Sequence, residues 1–140
     1  MKISDVMTPN PRTVTATDTL QAAAAIMRDE DTGIVPVVKD GRISGVITDR
    51  DIVIRAIADG DYDAKVGDIV SDDVVTATAD MATAEAAELM SEHQVRRIPV
   101  VDEDDRLVGI VSLGDLAVKE GRDSRMGETL ENISEGVKRH

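Results

Sequence analysis

Two stretches of this chain follow one pattern: GIVPVVKDGRISGVITDRDI from Gly33 to Ile52, and RRIPVVDEDDRLVGIVSLGDL from Arg96 to Leu116. Pro36 aligns with Pro99 at an offset of 63, and one extra residue in the following turn then sets Gly45 against Gly109 and Asp51 against Asp115 at an offset of 64. The correspondence reaches back to the start of each copy, where Lys2, Asp5, Thr13, Thr15 and Met27 match Lys65, Asp68, Thr76, Thr78 and Met90. A tandem duplication of this kind restricts the fold severely. Each copy is one supersecondary unit, and a half-domain of about 60 residues is marginal alone, so the two must close a core together. The copies run over residues 1–60 and 61–118, followed by a C-terminal segment, 119–140.

That core must be aliphatic. Hydrophobic residues make up 41% of the chain, yet there is no Phe, no Trp and a single aromatic residue, Tyr62. The net charge of −12 argues against a nucleic-acid partner, because a backbone binder needs a basic face and a single-strand binder usually needs aromatic stacking platforms. It disfavours an anionic membrane surface for the same reason. With no cysteine there is no disulfide, thiol nucleophile or thiolate metal site. The first residues, MKISDVMTPN, contain no apolar core of a signal peptide, and no run approaches 18 apolar residues. The expectation is a soluble cytoplasmic protein.

Each copy reads as strand, helix, strand, strand, helix. Arg12 to Thr15 is a short β-branched stretch, after which Asp18 offers an N-cap with Gln21 three residues on. Leu20, Ala23, Ala24 and Met27 then recur at helical spacing, as do Ala82, Ala86, Leu89 and Met90 in the second copy. Strands follow at Ile34 to Val38 and Ile98 to Val101. Asp40-Gly41 signals a two-residue hairpin, replaced in the second copy by the longer Asp102 to Asp105. The next strands, Ile43 to Thr48 and Leu107 to Ser112, run into helices beginning near Asp49 and Leu113. Asp59 to Asp63 is a polar linker, and the segment after Val118 reads as a short amphipathic helix or a loose tail.

The chemistry-bearing positions are Gly45-Val-Ile-Thr48-Asp-Arg50-Asp51 and Gly109-Ile-Val-Ser112-Leu-Gly114-Asp115. A hydroxyl at a strand end, with a carboxylate three residues later in the first helical turn, places a donor and an acceptor beside a helix N-terminus. Such a terminus favours an anion, and a carboxylate accepts both hydroxyls of a ribose. The alternative is structural: Thr48 and Ser112 as N-caps, with Asp51 and Asp115 as favourable first-turn acids. Both readings stand at the level of the residues, and repetition in matching places strengthens the first.

The repeated strand IVPVV/RIPVV, the Gly-h-h-Ser/Thr-x-x-Asp turn and the opening Ile-Ser-Asp-Val-Met closely resemble the CBS domain, named after cystathionine β-synthase. The resemblance runs from Lys2 to about Val118. It implies an α+β (α/β) fold of tandem repeats packed with pseudo-twofold symmetry, a homodimer, and clefts that bind AMP, ADP, ATP, NAD or S-adenosylmethionine for energy or metabolite sensing. By the same resemblance Asp51 and Asp115 are ribose acceptors, and Thr48 and Ser112 are phosphate-side hydroxyls. Arg97 becomes a phosphate contact, and Ile110 joins the ligand-binding residues. Contacts to the base are implied from Thr13 and Thr15 for the Asp115 site, and from Thr76 and Thr78 for the Asp51 site. The family often carries a second Ser or Thr before the aspartate, where this chain has Arg50 and Gly114. Arg50 either neutralises a phosphate or pairs with Asp49 or Asp51 and fills the cleft. The Asp115 site, with Ser112 and Arg97, is therefore the preferred one.

Other residues read as structural. His93 lacks partners at metal-ligand spacing and His140 is terminal; Asp102 to Asp105 has neither the glycine nor the spacing of a calcium loop. Arg96-Arg97 is either a surface charge pair or a phosphate contact. No nucleophile is paired with an oriented base, so an enzyme is not expected. The leading reading is a stand-alone regulatory module that binds an adenine nucleotide and changes its dimer or partner surface, the regulated protein being unknown. The alternatives are a ligand-free interaction module and an NAD(H) sensor.

Overall fold

The computed structural model of the chain describes residues 1–120. It contains β1 (Thr8–Pro9), α1 (Leu20–Glu30), β2 (Ile34–Lys39), β3 (Arg42–Thr48), α2 (Asp49–Ile52), α3 (Val66–Ile69), β4 (Ala77–Thr78), α4 (Thr83–His93), β5 (Arg97–Val101), β6 (Leu107–Ser112) and α5 (Leu113–Glu120). The expected α+β class is what forms. Beyond the end of α5, the segment expected as a tail or short helix lies outside the described residues. No helix among the described residues is long and apolar enough to cross a membrane.

The chain forms two compact units, and they exchange their opening segments relative to the repeats of the sequence. Within the described residues, one comprises Met1–Asn10, Val75–Asp104 and residues 108–120; the other comprises Pro11–Val74 and Asp105–Leu107. The reason is apolar. Ile3 and Val6 complete a core of Ala86, Met90, Ile98, Val100, Val111 and Leu116, while Val66 and Ile69 complete one of Leu20, Ala23, Ile26, Val35, Val37 and Ile47. Matching hydrogen bonds seat the two segments. Ile3 N donates to the Met81 carbonyl at 2.9 Å and Val66 N to the Asp18 carbonyl at 2.9 Å, while the Asp5 and Asp68 carboxylates each accept the amide three residues earlier at 2.9 Å.

In the first-segment unit the sheet runs β1-β6-β5-β4, with β4 parallel to β5; in the other, β2 and β3 form an antiparallel hairpin. Lys39 pairs with Arg42, and Asp40 (φ 53°) and Gly41 (φ 79°) form the two-residue turn that the Asp-Gly signal predicts. The expected strand at Arg12 to Thr15 shrinks to a parallel bridge of Val14 with Val37.

Helix α1 begins one residue later than expected. The Thr19 hydroxyl is its cap and accepts from Ala22 N at 3.1 Å, because the Asp18 carboxylate is used one turn earlier, on Thr15 N at 2.8 Å. Its buried stripe is Leu20, Ala23, Ile26 and Met27, with Ala24 exposed, since the larger Ile26 removes more apolar surface from water. In α4 the buried residues are Thr83, Ala86, Ala87 and Met90; Ala82 is the exposed residue before the helix and Leu89 is half-buried. After α2 the chain continues as a π-helix, Val53–Ile57, where Ala58 N donates to the Val53 carbonyl at 2.9 Å. Ala56 is buried there, whereas Val53, Ile54 and Ile57 are 54%, 51% and 45% exposed.

Candidate functional site

The two strand-to-helix turns are built alike. In one unit Asp51 N donates to Thr48 Oγ1 at 3.0 Å while Thr48 N donates to Asp51 Oδ2 at 3.0 Å. In the other, Asp115 N donates to Ser112 Oγ at 3.0 Å and Ser112 N to Asp115 Oδ2 at 2.9 Å. Both hydroxyls are therefore caps, and the reciprocal pair is a capping box. Capping does not exhaust either group. A carboxylate offers about four lone-pair positions and a hydroxyl retains its own proton for donation. All four residues are half-buried and so reachable by a ligand. Asp49 N donates to the Gly33 carbonyl at 3.0 Å and Leu113 N to the Arg96 carbonyl at 2.8 Å, so one backbone bond ties each helix start to the strand ahead of it.

The motif glycines serve the exchanged segments. A β-carbon on Gly45 would lie 2.6 Å from the Ser71 carbonyl oxygen and 2.7 Å from Val70 Cγ2; one on Gly109 would lie 2.5 Å from Met7 Sδ and 3.0 Å from the Thr8 carbonyl oxygen. Val46 and Ser71 exchange backbone hydrogen bonds at 3.0 and 3.1 Å, and Thr8 pairs with Ile110. Each glycine is thus the notch over which a segment crosses, a role that sequence reading missed. Its signal was the match of Ser71 with Thr8 at the repeat offset of 63.

Thr13 and Thr15 lie in the unit that holds Asp51, and Thr76 and Thr78 in the unit that holds Asp115. Thr15 Oγ1 lies 3.2 Å from Thr17 Oγ1, and Thr78 Oγ1 donates to Asp80 Oδ1 at 2.8 Å. Thr78 also lines an open depression of about 600 Å³ whose other walls include Asp80, Asp102, Glu103 and Asp104, an acidic lining unsuited to a phosphate. Arg97 heads β5 and Ile110 lies in β6, both half-buried. Arg50 is exposed and forms no ion pair with Asp49 or Asp51; its backbone N–H, not its guanidinium, bonds to Asp49 Oδ1 at 2.8 Å. Of the two expectations for Arg50, the one in which it pairs with its neighbours is not what forms. Among the described residues no group of three or more His, Asp or Glu side chains is arranged to hold a metal ion.

A family model for the CBS domain matches residues 3–57 and again residues 66–119. The chain belongs to the CBS-domain family. It is 41% identical over 133 residues to the CBS domain-containing protein YhcV of Bacillus subtilis, covering 94% of each chain. Among solved CBS structures it is similar to CBSX2 in complex with AMP, at 25% identity and a TM-score of 0.75, covering 86% of this chain and 96% of that one. It is also similar to the CBS domain pair of MJ0100 in complex with 5′-methylthioadenosine and S-adenosyl-L-methionine, at 28% identity and a TM-score of 0.76, covering 88% and 98%. Both of those structures hold an adenosine compound.

Proposed function

We propose that the chain is a regulatory module, not an enzyme, which binds an adenosine nucleotide of the AMP, ADP or ATP type and answers by changing its dimer or partner surface. The observation that carries this reading is the duplicated capping box. Each turn retains an unspent carboxylate oxygen and a hydroxyl proton, in a fold whose similar structures hold adenosine compounds. In the Asp115 site, Asp115 accepts the ribose hydroxyls, Ser112 and Arg97 face the phosphate, and Ile110 packs on the ligand. In the Asp51 site Asp51 accepts the ribose hydroxyls, and Thr48 and Arg50 face the group at the ribose 5′ position. The Asp115 site is the tighter one for phosphorylated ligands, because Arg97 offsets the repulsion of a chain carrying −12.

The response surface is the exposed face Val53, Ile54 and Ile57, which begins two residues after Asp51 and which we assign to a homodimer contact. The same face also favours a second reading, a ligand-free interaction module. Thermal denaturation against AMP, ADP, ATP, NAD, NADH and S-adenosylmethionine separates the two. A ligand at 100 times its dissociation constant adds about 2.7 kcal/mol, and an interaction module shows no shift with any of the six.

A further inference from the structure

We propose that Asp49 sets the ligand class of the Asp51 turn, reserving it for adenosine compounds that carry no phosphate, whether neutral or cationic. This rests on the adenosine-binding reading and concerns one of the two turns. The duplication supplies an internal comparison. Gly33 and Asp49 in the first repeat occupy the places of Arg96 and Leu113 in the second, on either side of the same backbone hydrogen bond. Leu113 is buried. Asp49 is exposed, and its carboxylate lies over Gly33, where a β-carbon would stand 3.0 Å from Oδ2 and 3.2 Å from Oδ1. A β-carbon at position 33 would crowd it by a few tenths of an ångström, and the bond from Arg50 N at 2.8 Å anchors its Oδ1. The first turn thus carries a carboxylate at a position that is apolar in the second.

The exchange adds a negative charge. Around the Asp51 turn, Asp49 and Asp51 flank one guanidinium, Arg50, so these three residues leave one net negative charge, whereas the Asp115 turn has no counterpart of the Asp49 carboxylate. Arg50 does not cancel the effect. It is a long, hydrated, exposed side chain that must be immobilised to hold a phosphate, whereas the Asp49 carboxylate is already in place. The capping geometry of the carboxylate and hydroxyl is the same in both turns, so on the adenosine-binding reading the difference falls on the group at the ribose 5′ position. A phosphate there meets a like charge, a thioether meets none, and a sulfonium meets an opposite one.

The test is titration calorimetry of adenosine, 5′-methylthioadenosine, AMP and ADP against the full chain carrying Asp115→Ala, which leaves the Asp51 turn as the nucleoside site, and against the same chain with Asp49→Asn added. Expected are binding of adenosine and methylthioadenosine about tenfold or more tighter than ADP, and a gain of about tenfold for ADP on Asp49→Asn with adenosine changed less than about twofold. ADP binding as tight as adenosine with Asp49 in place, or equal changes for both on Asp49→Asn, overturns the proposal. If Asp115→Ala does not fold, Asp49→Asn in the otherwise unmutated chain serves, where the stoichiometry of ADP should rise from one to two per chain; an unchanged stoichiometry overturns it. Binding by the unmutated chain with none by Asp115→Ala overturns this inference alone. No binding of any of the four compounds by the unmutated chain overturns the adenosine reading itself.

Discussion

A hydroxyl that caps a helix uses one acceptor position, and a carboxylate that completes the capping box uses one of several; this is why Thr48, Asp51, Ser112 and Asp115 hold the fold and remain available to a ligand. The two roles come apart in variants. Ser112→Ala removes the cap and should cost about 1 kcal/mol in urea denaturation, and Thr48→Ala about the same. Asp115→Asn keeps an oxygen for Ser112 N, so stability should change by less than about 0.5 kcal/mol while nucleotide affinity falls, the neutral amide being a weaker acceptor for ribose hydroxyls. An Asn variant that binds nucleotide like the unmutated chain would make Asp115 a cap alone. Arg97→Ala should weaken ADP and ATP more than adenosine, and Asp51→Ala should weaken phosphorylated ligands less than Asp115→Ala, all by calorimetry.

At the scale of elements, the exchanged segments explain what the glycines do. Gly45→Ala places a methyl group 2.6 Å from a carbonyl oxygen and Gly109→Ala one 2.5 Å from a methionine sulfur. The backbone neighbour cannot yield and the thioether can, so Gly45→Ala should be the more destabilising, by about 1–3 kcal/mol in denaturant titration, with Gly109→Ala milder. Ile3, fully buried at the edge of the second-repeat core, should cost about 2–5 kcal/mol as Ile3→Ala. Strands β2, β3, β5 and β6, the Asp-Gly turn and the helix starts at Asp49 and Leu113 were legible, because periodicity, turn chemistry and capping are local signals, whereas the strand expected at Arg12 to Thr15 was not what formed. The exchange was not legible. Lys2-Ile3 and Lys65-Val66 match each other, but nothing in the sequence says which core each segment enters. The Asp18 cap failed for a related reason: two hydroxyl or carboxylate residues in succession both suit the position, and the amide of Thr15 took the first. The residues proposed for the adenosine site rest on the family resemblance together with the duplicated turn. The Gly33–Asp49 pair went unremarked because each residue is ordinary until its counterpart in the other repeat is set beside it.

For the whole molecule, the exposed apolar face of Val53, Ile54 and Ile57, on the helix that continues from the Asp51 turn, is where we propose that a second copy docks. Ile54→Asp should shift sedimentation toward a 15.0 kDa species at micromolar concentration, and an unmutated chain already monomeric there would contradict the homodimer. The central claim is that this chain binds a phosphorylated adenosine ligand through the Asp115 turn. Titration calorimetry of AMP and ADP against the unmutated chain and Asp115→Ala, with melting curves confirming that both are folded, tests it most directly. Saturable binding by the unmutated chain and loss of most of it in Asp115→Ala is the predicted result; no binding by the unmutated chain, or equal binding by both, would contradict the claim.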